Sequence, residues 1–99
     1  MVDDAVTIVK TGSIISVTGT SARVAIPTAS DGNIPRYIRV AAIAACYVKI
    51  GDSGVTAVAG DALVQPADAV ILSTNGLTHI AAIQVSAGGT VQISPLEGI

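Results

Sequence analysis

Any chemistry this chain performs would have to be built from very few side chains. His79 is the only histidine and Cys46 the only cysteine. No carboxylate or cysteine lies close to His79 in sequence, so a triad or a zinc site would need partners from distant segments. The reading that fits is a partly exposed histidine at the start of a strand. Cys46 sits in an apolar run, with no His, Lys or Arg directly beside it to lower its pKa. It reads as a small buried hydrophobe and, being single, makes no internal disulfide, as suits a protein made in a reducing cytoplasm.

Asp31, Asp52, Asp61 and Asp68 all fall in loop-like stretches. Asp52-Ser53-Gly54 resembles a fragment of a calcium turn, but the full loop pattern with its closing glutamate is missing. Turn and cap roles follow. Arg23, Arg36 and Arg39 are three of the five cations. Arg36 and Arg39 are three apart and face opposite sides of a strand, so they make no phosphate fork by themselves. Pairing with an aspartate of a neighbouring subunit is the expected role, arginine being the cation favoured at interfaces. Tyr37 and Tyr47 would stand side by side on one outward face if their strands pair, as an interface core or, in a lesser reading, a sugar-binding platform. No catalytic residue, metal ligand or cofactor site is expected, and the chain is read as a non-enzyme.

What must position these residues is set by composition. The 99 residues suffice for one domain, and 51% are hydrophobic while only 12% are charged. An ordinary domain carries about 25% charged residues, so here Ala, Val, Ser, Thr and Gly must cover much of the exterior. A surface of that kind carries apolar patches of the sort that mark interfaces. Mean hydropathy is +0.70, yet the run through residues 40–48 stops at Lys49, well short of the 18 or so apolar residues of a spanning helix. Val2-Asp3-Asp4 is acidic where a signal peptide is basic. A membrane is therefore not expected as a partner. Neither is nucleic acid: net charge is −2, and the only aromatic residues are the two tyrosines.

Helical periodicity is nearly absent, while Val, Ile and Thr abound and Gly-containing turns recur about every eight to twelve residues. Strands are predicted at residues 13–17, 21–26, 36–41 and 45–50. Within these, Ile38, Val40, Cys46, Val48 and Ile50 point inward, and Ala22, Val24 and Ile26 share one face opposite Arg23 and Ala25. Residues 55–59 read as a weak strand, and 62–65 as a short one that Pro66 keeps at an edge. Residues 69–73 (AVILS) are apolar throughout and read as buried on both faces. Asn75-Gly76 is a turn signal, and residues 78–85 are predicted to pair as a hairpin with 90–94 across Ala87-Gly88-Gly89. The polar stretch 28–35 reads as an exposed loop. The link Ala42-Ile43-Ala44 is apolar where a hairpin turn is usually polar, which an interface would explain.

These segments predict an all-β fold: a small jelly-roll-like β-sandwich of about eight short strands. Residues 1–12 form an N-terminal arm or edge strand, and residues 13–99 a single sandwich domain. The segments Tyr37-Ile38-Arg39-Val40-Ala41, Ala45 to Gly51 (ACYVKIG), Asp61-Ala62-Leu63-Val64, His79-Ile80-Ala81-Ala82-Ile83 and Gly89 to Ser94 (GTVQIS) together resemble small virion proteins of tailed bacteriophages. The resemblance runs from Arg36 to Leu96 and lies in strands, turns and small residues. It implies a capsid decoration or cement protein, made in the host bacterial cytoplasm and resident in the virion. Its partners would be itself, with a trimer favoured, and the major capsid protein or another virion protein. Expected contacts are the arm (Val6, Ile8, Val9), Tyr37, Arg39, the link Ala42, Ile43 and Ala44, Tyr47, and the tail (Leu96, Ile99). The alternatives are a neck, tail or fibre subunit forming a ring, and a carbohydrate or host-surface binding module using the loops around Asp31 and Asp52.

Overall fold

The computed structural model describes residues 11–66 and 69–97, and the expected arm residues Val6, Ile8 and Val9, with Asp68 and Ile99, lie outside them. Eight strands follow in chain order: β1 (Ser13–Val17), β2 (Ala22–Ala25), β3 (Tyr37–Ala42), β4 (Cys46–Gly51), β5 (Ala62–Val64), β6 (Val70–Ser73), β7 (His79–Gln84) and β8 (Gly89–Leu96). There is no helix among the described residues. The strands form two four-stranded sheets, ordered β1-β8-β3-β6 and β2-β7-β4-β5. All strand pairs are antiparallel.

The pairing follows one rule. β1 pairs with β8, β2 with β7, β3 with β6 and β4 with β5, as in a chain doubled back on itself about the β4–β5 hairpin. Rolling that doubled ribbon brings β8 against β3 and β7 against β4, which completes the two sheets. This is the eight-stranded jelly roll.

The alternation of apolar residues explains why the ribbon rolls. In β3, Ile38, Val40 and Ala42 are buried while Tyr37, Arg39 and Ala41 are half-exposed. β1 turns Ile15 and Val17 inward, and β8 does the same with Val91 and Ile93. The facing sheet contributes Cys46, Val48, Val64, Ile80 and Ala82, and the two sets form one core. Burying both inner faces is the dominant stabilising term, at about 25 cal/mol per Å² of apolar surface removed from water.

Several expectations change at the level of pairing. The predicted hairpin between 78–85 and 90–94 does not form, because β7 and β8 lie in different sheets. Residues 85–88 are a corner carrying the chain from one wall to the other. A Cβ on Gly88 would stand 2.8 Å from the Val17 carbonyl oxygen, so this corner fits only glycine. The link Ala42-Ile43-Ala44 is likewise a corner between sheets. Tyr37 and Tyr47 accordingly stand on opposite walls and form no common platform.

Residues 55–59 are not a strand. Val55 and Ala57 cross the outside of the second sheet and pack on Ala81 and Ile83 as a small separate cluster, and the Ser21 hydroxyl accepts a hydrogen bond from the Ala57 N–H at 2.9 Å. The AVILS segment is an edge strand rather than a doubly buried one, with Val70 and Leu72 half-buried and Ile71 and Ser73 exposed. The Asn75-Gly76 turn is present, with φ of 52° and 78°, and the Leu77 N–H donates to the Thr74 carbonyl at 2.9 Å. It joins strands of different sheets instead of closing a hairpin.

Candidate functional site

The polar side chains serve local structure. His79 opens β7, its Nδ1 2.8 Å from the Thr78 hydroxyl. No group of three or more His, Cys, Asp or Glu residues stands together among the described residues in a way that could hold a metal ion. Cys46 is buried in β4, and that burial pushes its thiol pKa up, away from the reactive thiolate. Asp31 accepts the Asn33 N–H at 2.9 Å, Asp52 the Gly54 N–H at 2.9 Å, and Asp61 the Val58 N–H at 2.8 Å. These are side-chain turns of the kind aspartate forms readily. The Asn33 N–H bonded to Asp31 holds that carboxyl below its ordinary pKa.

The loop between β2 and β3 is only partly exposed. Ala29 and Pro35 are buried, and the Ser30 N–H and hydroxyl both donate to the Glu97 carboxylate, at 3.1 and 2.5 Å. A hollow of about 270 Å³ opens beside this clasp, lined by Asp31, Arg36, Tyr37, Leu96 and Glu97 among others.

What the fold displays most openly is apolar surface on its two outer walls. On the first sheet, Ile14 of β1 pairs with Gln92, which in turn pairs with Ala41 of β3, so the three side chains form one row across the outer face. Ile43 rises at the end of β3, and it and Ile14 are 72% and 65% exposed. Between them lies a shallow hollow of about 250 Å³ lined by Ile14, Ala41, Ala42, Ile43, Thr90 and Gln92, with no charged group. On the second sheet, Ile83, Tyr47 and Leu63 form a row in register, with Ile83 covered by the Val55–Ala57 crossing. Leu63 and nearby Val58 are exposed.

The expected contact residues divide accordingly. Ile43 stands fully at the surface, Ala44 is half-exposed, and Tyr37 and Arg39 are half-exposed on the outer face of β3. Tyr47 belongs to the other wall. Ala42 and Leu96 are buried within the chain's own fold, at 7% and 4% exposure, so neither side chain is free to meet a partner. Leu96 is not in a loose tail: it ends β8, opposite Tyr37. Ile14, Leu63 and Ile71 were missed. The signal for Ile14 and Ile71 is present in the sequence, since adjacent apolar residues in a strand with one buried face must place one of them outside. Comparison with protein-family models, with curated proteins and with solved structures gives no significant match.

Proposed function

We propose that this chain is a non-enzymatic structural subunit of a virion, a capsid decoration or cement protein that binds the head surface and stabilises it. The observation that carries this reading is the placement of large aliphatic side chains on both outer walls of the sandwich, above all Ile14 and Ile43 beside an uncharged hollow. Exposed apolar clusters on a chain this poor in charge are the mark of a surface meant to be covered. The jelly roll adds support by analogy, being the fold of many viral shell proteins, although a fold by itself does not determine a function. Repetition on a shell turns a small contact into a large total stabilisation.

The test is co-sedimentation of the purified protein with heads of the virus that carries it. The expected outcome is saturable binding that Ile43→Asp weakens by about tenfold or more, with the fold unchanged by circular dichroism. Absence of the wild-type protein from the head pellet at saturating concentration would overturn the reading.

A further inference from the structure

Antiparallel ladders fix which backbone groups of an edge strand are left over. In the β3–β6 pair, the Thr74 N–H donates to the Arg36 carbonyl at 2.9 Å, one step beyond the Tyr37–Ser73 pair. The hydrogen-bonded positions therefore recur at Leu72 and Val70, and the N–H and C=O groups of Ile71 and Ser73 point away from β3. β6 is the last strand of its sheet, so these four groups face the open edge, without a hydrogen-bond partner among the described residues.

Edges are normally guarded by charge, proline or a bulge. β2 carries the exposed Arg23, and β5 is followed by Pro66. β1 carries no such guard among the described residues either, but its exposed Ile14 belongs to the outer-wall hollow described above. Among the described residues β6 likewise has none of these guards: it reads Val-Ile-Leu-Ser, with Ile71 55% exposed.

We infer that β6 is a homotypic docking edge, at which a second copy of this chain pairs antiparallel through a two-fold axis at Leu72. The occupant follows from self-complementarity. In that register Ile71 lies opposite Ser73 of the partner copy and Ser73 opposite its Ile71, so all four free backbone groups on each copy are satisfied at once. The two Ile71 side chains become diagonal neighbours on the outer face, near enough to touch. Among the described residues no charge opposes the contact: Arg39, the nearest cation on that face, is one strand further in. The two copies of Arg39 are then three strand spacings apart, about 14 Å, beyond the Debye length at physiological salt. The pair is closed, since an isologous edge is used up by its own copy. This inference does not depend on the virion reading.

Light scattering across concentration, with hydrogen exchange on the same samples, tests it. The expected result is a reversible dimer in which the Ile71 and Ser73 amides gain protection as concentration rises. Ile71→Lys, at an exposed position, should weaken dimerisation by about tenfold or more. Ile71→Pro should abolish it while removing no hydrogen bond to β3. A strict monomer at millimolar concentration, a dimer unaffected by Ile71→Lys, or an oligomer in which both amides stay unprotected would each overturn it. Loss of head binding with dimerisation intact would count against the virion reading alone.

Discussion

Thr74 shows how much one buried hydroxyl does in this fold. It is 1% exposed, and its Oγ1 donates to the Pro35 carbonyl at 2.6 Å, while its own N–H holds the Arg36 carbonyl. The two bonds tie the entry of β3 to the exit of β6, at the point where the chain turns toward the other sheet. Thr74→Val keeps the shape but leaves the Pro35 carbonyl without this donor in a dry place. The expected cost is about 1–3 kcal/mol of unfolding free energy, read as a lower denaturation midpoint with an unchanged denaturant slope. Nothing in the sequence marks Thr74 for this role. Threonine is common at strand ends, and the carbonyl it satisfies lies 39 positions away. Cys46, by contrast, was legible: an apolar alternation with no charge beside it is enough to bury it.

At the scale of elements, alternation told which way β3 and β4 face, though not that residues 69–73 expose one side, and it did not tell which strand neighbours which. The inward sets of β3 and β4 are visible in the sequence because a period of two is a local property. Pairing is not local here: of all the sequence-adjacent strands, only β4 and β5 are hydrogen-bonded neighbours. The corner after β7 has the small residues of a hairpin turn, and the difference lies in which wall receives the next strand. For the same reason the two tyrosines could be read as outward-facing but not as belonging to opposite sheets. The crossing segment Val55 to Val58 was hidden differently, since its alternation is real but is spent on the outside of a sheet. Its fit depends on Gly51, where an added Cβ would lie 2.8 Å from the Val55 Cβ. Gly51→Ala is therefore expected to displace the crossing, costing about 1–3 kcal/mol and raising the exchange rate of the Ala57 amide that bonds to Ser21.

For the whole molecule, the doubled-back pairing makes the first described strand depend on the last. β8 sits between β1 and β3, and β7 between β2 and β4. A chain ending at residue 88 loses not an edge but the middle of the first sheet. It is expected to show no cooperative thermal transition and collapsed amide dispersion by NMR. Such distant pairings also make folding slow relative to a helical domain of this length, on the order of milliseconds to seconds.

The same arrangement has a meaning for the ribosome. Translation runs at about 5–20 residues per second, so residue 96 follows β1 by about 4–16 seconds. Through that interval β1 and β3 have no β8 to join them, and each nascent chain holds unfinished edges. Neighbouring chains on one message carry the same edges, so rapid completion of translation, or a chaperone that shields the early strands, belongs to the conditions under which this protein can be made in quantity.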